Sequence, residues 1–154
     1  SHTNLLEAQL DAADLTGAIL TKANLSHASL KDAILNQAVL ANANLNWATL
    51  KQADLGDANL MGADLRGATL RWADLHRTTM IGTEIWGVDL REANLGYANL
   101  QHTNLSGAIL IAADLSHANL SRANLFRAEL SQAHLYQTNL EGASLVDAHL
   151  VGAY

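Results

Sequence analysis

The sequence predicts an all-β solenoid, a rod built from one short unit repeated along the chain. Leucine occupies every fifth position from Leu5 to Leu150, and only Met80 and Ile85 depart from this rule. A small residue, alanine in most repeats, stands two positions before each leucine, and the residue between them is mostly Asn or Asp. The register never slips. Repetition at a fixed period throughout a chain is typical of solenoid proteins.

A period of five residues excludes both a helix and a continuous strand as the repeating unit. In an α-helix, successive leucines would lie about 500° apart and would spread around its surface. In a continuous strand, leucines five residues apart would point to opposite faces. A three-residue strand followed by a two-residue corner instead buries the small residue and the leucine together. The sequence therefore predicts short strands joined by tight corners.

Glycine marks these corners. Eight of the ten glycines stand two positions after the leucine position of a repeat, as Gly67 does after Leu65 and Gly87 does after Ile85. The third residue of a type II turn needs a positive φ, which glycine adopts freely and asparagine tolerates. The chain has no proline, as expected if backbone N–H groups are needed for bonds to the neighbouring coils. We therefore expect type II turns at the corners.

The repeated unit resembles that of the pentapeptide-repeat family. It reads Ala-(Asp/Asn)-Leu followed by two variable residues, as at 53–55, 63–65, 93–95 and 123–125. The resemblance covers essentially the whole chain. It implies a right-handed quadrilateral β-helix with four repeats per coil, about 7.5 coils of 20 residues, and no helical caps. Residues twenty positions apart would then stack at a spacing of about 4.8 Å.

The repeat predicts one domain over residues 3–154, with residues 1–2 as a tag remnant or linker. The pattern still runs at Tyr154 without a polar cap, so we expect a segment of a longer protein. We also expect the exposed ends of the rod to associate end to end. The compartment stays open; as part of a larger bacterial protein, the domain would be cytoplasmic or tethered to a membrane.

The composition argues against several classes of function. Nine basic and fifteen acidic residues give a net charge of −6 without a concentrated basic region, which disfavours direct nucleic-acid binding. The chain has no cysteine, and its seven histidines scatter when the sequence is folded at a period of twenty, so we expect no metal or cofactor. No catalytic arrangement stands out from the repeat, and a filled β-helix offers no pocket for a small-molecule substrate. We expect a protein that is not an enzyme.

Folding the sequence at a period of twenty also predicts rows of like residues on the exterior. Asparagines on one face are expected to bond to one another through their side-chain amides. An acidic row on another face would lower stability unless something outside the fold favours it. The asparagine row is Asn4, Asn24, Asn44, Asn104 and Asn124, and the acidic row is Asp14, Asp54, Asp74, Asn94 and Asp114.

A candidate protein-interaction face lies between two corners that carry exposed aromatic residues. One corner carries a row of four cations (Lys31, Lys51, Arg71 and Arg91), whose repulsion Asp32 and Glu92 are expected to relieve. Tryptophan beside arginine on a rigid surface is typical of interaction hot spots. The alternative is that each aromatic ring only covers the backbone of a neighbouring corner. The candidate residues are Trp47, Lys51, Arg71, Trp72, Trp86, Asp89, Arg91 and Phe126.

Two smaller features leave alternatives open. The segment from Thr78 to Val88 departs from the Ala-x-Leu pattern, through local drift with a wider coil or through an irregularity near a site. Ile19 and Val39 place apolar side chains at the normally polar position, either for lateral contact between rods or as β-branched strand formers.

The expected function is a non-catalytic scaffold for protein interaction, with a protein partner that the sequence does not identify. The resemblance implies a module of a larger membrane-attached or signalling protein, as in cyanobacteria, where the family is abundant. The alternative is a DNA-mimic inhibitor of DNA gyrase, as in the quinolone-resistance branch of the family. Against that alternative, the chain lacks the central phenylalanine and the loop insertions of that branch.

Overall fold

The protein is a stack of four-sided coils in the computed structural model, which describes residues 3–154. Parallel bridges join residues twenty positions apart, from the pair Asn4 and Asn24 to the pair Glu129 and His149. Successive bridging residues are five positions apart, so each coil has four sides. Each strand is reduced to one bridging residue and its two neighbours. Ser1 and His2, interpreted from the sequence as a tag remnant or linker, lie outside the described residues.

The four sides are numbered here from the N-terminal end by their bridging residues. Face 1 begins at Asn4, face 2 at Gln9, face 3 at Asp14 and face 4 at Ile19, and each face gains one residue every twenty positions. The two residues that follow each leucine position form a corner. Each corner is named by the two faces that it joins. In the first coil, corner 1–2 is 6–7, corner 2–3 is 11–12, corner 3–4 is 16–17 and corner 4–1 is 21–22.

The corners are all tight turns of one kind. The N–H of the small residue donates to the carbonyl of the leucine three positions earlier, as from Ala8 to Leu5 at 3.0 Å. The residue before the small one has a positive φ at every corner from Glu7 to Gly152, in eight glycines and 22 other residues. The predicted type II turn, with positive φ at its third residue, is therefore confirmed.

Hydrogen bonds between coils use three of the five backbone N–H groups in a repeat. Leu5 N donates to Asn24 O at 2.7 Å, Glu7 N to Ser26 O at 3.0 Å, and Asn24 N returns to Thr3 O at 2.9 Å. A fourth N–H closes the turn. The fifth, on the first corner residue, has no backbone acceptor anywhere in residues 3–154.

Leucine and alanine fill the axis of the rod. The leucines from Leu25 to Leu75 have no exposed surface, and Met80 and Ile85 are equally buried at leucine positions. No helix occurs within residues 3–154, and consequently none there is long and apolar enough to cross a membrane. Because side chains occupy the axis, the functional groups of the described residues lie on the exterior.

The irregular segment from Thr78 to Val88 keeps the register and has longer backbone hydrogen bonds. The turn bond from Val88 N to Ile85 O is 3.3 Å long, and Ile85 N reaches Asn104 O at 3.1 Å, whereas Leu25 N reaches Asn44 O at 2.7 Å. The buried hydroxyl of Thr83 donates to the carbonyl of Met80 at 2.6 Å. Bulkier Thr and Val at alanine positions account for the longer bonds, which agrees with local drift.

Candidate interaction surface

The Asn and Asp residues at the bridging positions cap the one N–H that the backbone leaves without a partner. Thr16 N donates to Asp14 Oδ1 at 3.0 Å, and Met61 N donates to Asn59 Oδ1 at 3.0 Å. The same bond occurs at every bridging Asn and Asp of the described chain, sixteen in all. The acidic row therefore has a cause within the fold, because each of these side chains satisfies a backbone donor.

The asparagine row on face 1 bonds along the stack as the sequence predicts. Asn24 Nδ2 donates to Asn4 Oδ1 at 3.3 Å, and Asn44 Nδ2 donates to Asn24 Oδ1 at the same distance. Each amide uses its oxygen for the backbone cap and for the neighbouring amide, so the ladder and the caps reinforce each other.

Face 2 is the predicted candidate surface, and the structure places its two borders as expected. Its centre carries Ser29, Thr49, Thr69, Asp89, Ile109 and Glu129. Trp47, Trp86 and Phe126 lie on corner 1–2, and Trp72 lies on corner 2–3 with the four cations. The four rings retain from 36% to 61% of their surface. The eight candidate residues thus share one side of the rod.

The cations of corner 2–3 find the predicted acidic partners and one aromatic partner that the sequence did not reveal. Lys31 Nζ lies 3.4 Å from Asp32 Oδ2, and Arg71 lies 3.7 Å from Glu92 Oε1. The Trp72 ring lies 4.8 Å from Lys51 Nζ and 4.2 Å from the Arg71 guanidinium carbon. The indole attracts both cations through its π face and so relieves their mutual repulsion.

Asp89 joins this border to the centre of face 2. Arg91 Nε and Nη2 donate to its two carboxylate oxygens at 2.8 and 2.5 Å. Partial burial acts to raise the pKa of Asp89, but the hydrogen bonds from Arg91 and the charges of Arg91 and Arg71 outweigh it and hold that pKa below its ordinary value. The pKa of Asp64, on face 1, is lowered in the same way: burial opposes the shift, and Arg66 prevails.

The aromatic residues of corner 1–2 differ in the contacts that they make within the rod. The Trp47 indole lies across Gly67 in the next coil, as the covering alternative expects. Arg66 approaches the Trp86 ring at 5.9 Å, and Arg127 lies 4.8 Å from the Phe126 ring. Trp47 nevertheless remains 61% exposed, and Trp86 and Phe126 remain 44% and 36% exposed, so all three rings offer accessible apolar surface on this corner.

The histidines form no metal site in the described part of the chain, where no three His, Cys, Asp or Glu side chains converge. His117 stacks on Tyr97 at 4.6 Å and meets Tyr136 edge-on at 5.4 Å, which forms an aromatic ridge on corner 3–4. His76 lies on the same corner, but its Nδ1 lies 2.9 Å from Asp74 Oδ1 instead. The carboxylate competes for the imidazole, so the ridge has three rings.

Parallel bridges at a twenty-residue interval, identical turns and a filled axis define a β-helical repeat protein. The family model for pentapeptide repeats matches in eight copies, over residues 1–32, 18–57, 43–82, 58–96, 89–125 and 123–154. The chain belongs to the pentapeptide-repeat family. The fold of the family, a right-handed quadrilateral β-helix, agrees with the four-sided coils described above. No curated protein matches the chain in sequence.

Solved structures of pentapeptide-repeat proteins share this architecture. A protein from the Arabidopsis thaliana thylakoid lumen, AT2G44920, is 29% identical with a TM-score of 0.60, over 62% of this chain and 66% of that one. Rfr23 from the cyanobacterium Cyanothece 51142 is 29% identical with a TM-score of 0.50, over 70% of this chain and 63% of that one. The match therefore spans slightly less than two thirds of either relative. QnrB1, a plasmid-mediated fluoroquinolone resistance protein, is 18% identical with a TM-score of 0.55, over 98% of this chain and 72% of its own, which shows a shared fold alone.

Proposed function

We propose that this chain is a non-catalytic scaffold that binds a protein partner on face 2 and its two borders. The observation that carries the proposal is the pairing of accessible aromatic rings on corner 1–2 with cations held against Trp72 on corner 2–3. Tryptophan and arginine are enriched among the hot-spot residues of protein interfaces.

Rigidity supports the same proposal. The N–H groups of face 2 bond to the adjacent coils, as Thr69 N does to Ala48 O at 3.0 Å. Arg91 is fixed by two bonds to Asp89, and Arg71 lies on the Trp72 ring. Side chains already held in place lose little conformational freedom when a partner binds, so more of the contact energy remains as affinity.

The test is partner capture with a variant that lacks two of the accessible rings, Trp86 and Phe126. Trp86→Ala combined with Phe126→Ala removes apolar surface without touching a backbone cap, and we expect partner recovery from an extract of the source organism to fall at least about tenfold. Met61→Ala combined with Tyr136→Ala is the matched control, because both side chains are exposed on other corners. Thermal unfolding of both variants checks the fold. Equal partner recovery by wild type and the Trp86/Phe126 variant would refute the face 2 proposal.

A DNA-gyrase supercoiling assay separates this function from the DNA-mimic alternative. The basic row of corner 2–3 favours the scaffold, because a mimic of DNA presents a predominantly acidic surface. We expect no inhibition of supercoiling. Inhibition at stoichiometric amounts of the protein would replace the scaffold with the mimic.

A further inference from the structure

The strip that runs from corner 2–3 onto face 3 is self-complementary in charge. In one coil Lys51 lies on the corner and Asp54 on the face, and in the next coil Arg71 and Asp74 occupy the same two positions. Trp72 lies between the cations and the carboxylates, in contact with both cations. The two cations therefore form one row and the two carboxylates form a parallel row, with one cation and one carboxylate in each coil. The Trp72 indole lies between the two rows.

The charges of this strip are only partly used within the rod. No carboxylate of residues 3–154 lies within 4.0 Å of Lys51 Nζ, and Arg71 reaches only Glu92, at 3.7 Å. Asp54 Oδ1 accepts Gly56 N at 2.9 Å, whereas Asp54 Oδ2 accepts no hydrogen bond from residues 3–154. The same division holds for Asp74, whose Oδ1 serves His76 and Asn94. One oxygen of each carboxylate thus remains available to a partner.

We propose that a second copy of this chain docks on the strip, side by side and parallel, about a two-fold axis that runs along the rods near Trp72. Such an axis exchanges the two lines of charge. Lys51 and Arg71 of each copy then face Asp54 and Asp74 of the other copy, at the same levels. The contact is isologous and closes as a dimer.

The spacing of the charges favours a second rod over an extended peptide. Adjacent coils are about 4.8 Å apart, whereas side chains on one face of an extended strand repeat at about 6.6 to 6.8 Å. A stack of β-coils therefore matches two successive levels, whereas an extended peptide does not. This chain presents the required carboxylates at that spacing on its own surface.

The residues around the strip make the association weak and sensitive to salt. The same two-fold axis brings Lys31 opposite the exposed Ile34, and it brings Arg91, already held by Asp89, opposite Asn94. Exposed ion pairs contribute little each and are screened by salt. The first coil opposes the contact, because Asp11 of each copy would face Asp14 of the other copy, and both side chains are acidic.

This inference does not depend on the proposed function. The strip shares Lys51, Arg71 and Trp72 with the candidate surface of face 2, but its carboxylates lie on face 3. A dimer formed this way would leave Trp86 and Phe126 on corner 1–2 free for another protein. Substitutions of the two carboxylates therefore test the dimer without altering the rings that test the scaffold.

The first experiment is sedimentation equilibrium of the purified chain at low and high salt. We expect concentration-dependent dimers at low salt that dissociate at high salt. Asp54→Asn combined with Asp74→Asn keeps both N–H caps and removes the charges, so dimerisation should weaken about tenfold. Asp114→Asn, on the same face and away from the cations, should leave it unchanged. A wild type that stays monomeric at every concentration, or an Asn variant that dimerises as tightly as wild type, would overturn the proposal.

A charge exchange tests the pairing itself. Lys51→Glu with Arg71→Glu makes the whole strip acidic, and Asp54→Lys with Asp74→Lys makes it basic. Each variant alone should be monomeric, and an equimolar mixture should form a heterodimer. A mixture that stays monomeric while both variants show wild-type circular dichroism would overturn the pairing. If the lysine variant does not fold, the Asn variant alone decides.

Single cysteines test the direction of the two rods, since the chain has none of its own. Gln52 and Gln132 lie in the row of Trp72, four coils apart. In the parallel dimer of each single variant, Cys at position 52 or at position 132 should form a disulfide with the same position in the other copy. Disulfides mainly between the two variants in a mixture would show antiparallel rods and overturn the proposal.

Discussion

The indole of Trp47 lies directly over the Cα of Gly67, which is in the next coil at the same corner. A Cβ added to Gly67 would lie 2.6 Å from both Cε3 and Cζ3 of that ring. Gly67 also has a φ of +66°, and the equivalent residues along corner 1–2 likewise have a positive φ. Glycine is required here chiefly by the ring, because 22 other residues adopt the same φ with a Cβ present.

Gly67→Ala should therefore destabilise the protein more than Gly87→Ala does. Gly87 has the same φ of +66° but nothing within 4 Å of an added Cβ, so its replacement should cost about 1 kcal/mol. The clash with Trp47 should add about 1 to 3 kcal/mol at Gly67. Urea unfolding of both variants measures the difference. Adding Trp47→Ala to Gly67→Ala should remove the extra cost; equal costs for the two glycine variants would contradict the contact.

Removing a bridging side-chain cap should cost more than removing a neighbouring side chain that caps nothing. Asn59→Ala leaves the N–H of Met61 without its acceptor and should lower the free energy of unfolding by about 0.5 to 2 kcal/mol. Asn59→Asp keeps the acceptor and should be nearly neutral. Thr79→Ala, one coil further on face 4, is the control. Chemical denaturation compares the three, and an equal loss in both alanine variants would count against the capping role.

The pair formed by Asp89 and Arg91 should make stability fall in acid. Because the pKa of Asp89 is lower in the folded protein than its ordinary value of 3.8, its contribution is complete above that pH and is lost as pH falls through the lower folded pKa. Asp89→Asn should be less stable than wild type at neutral pH and should lose less stability below about pH 4. Unfolding curves across a pH series test this. Parallel acid profiles for wild type and variant would contradict the prediction.

The contact between Lys51 and Trp72 should appear as a coupling energy. Lys51→Met and Trp72→Leu each remove one partner, and the double variant should be more stable than the sum of the two losses predicts, by about 0.5 to 1 kcal/mol. Arg77→Met, on corner 3–4, replaces Lys51→Met in the control cycle and should show no coupling with Trp72→Leu. Thermal or urea unfolding of each set gives the values; a coupling near zero for Lys51 would show that the indole only covers the corner.

The fold was largely predictable because the sequence repeats one five-residue pattern about thirty times. A period of five admits few ways to bury Ala and Leu together, and the glycines place the positive φ. The family resemblance then supplied the period of twenty, from which the stacking of Asn4 on Asn24 follows. Each expectation depends on spacing along the chain, and spacing is what a sequence displays directly.

The role of the bridging Asp residues could not be found in this way. Reading Asp74 as a surface charge suggested an uncompensated row, but its Oδ1 accepts the N–H of His76. The missing step was a count of backbone donors: one N–H in each repeat faces neither coil and needs a side chain. The strong preference for Asn and Asp over other polar residues was the available signal.

The candidate site was predicted in position but not in its internal contacts. The rows of face 2 follow from counting by twenty, so Trp72 and the four cations were placed on one corner. Which way a long side chain leans depends on neighbours in the adjacent coil. For that reason, Arg91 turning to Asp89 and Trp47 crossing Gly67 became visible only in the structure.

The distribution of backbone bonds has a consequence for how such a chain reaches its native state. A coil on its own would keep only its turn bonds and would still hold four residues at positive φ, an arrangement that an isolated peptide cannot sustain. The first pair of coils is therefore the kinetic obstacle. Every later coil forms hydrogen bonds to a coil that is already folded and offers the same set of acceptors. Folding therefore propagates coil by coil after this nucleus has formed.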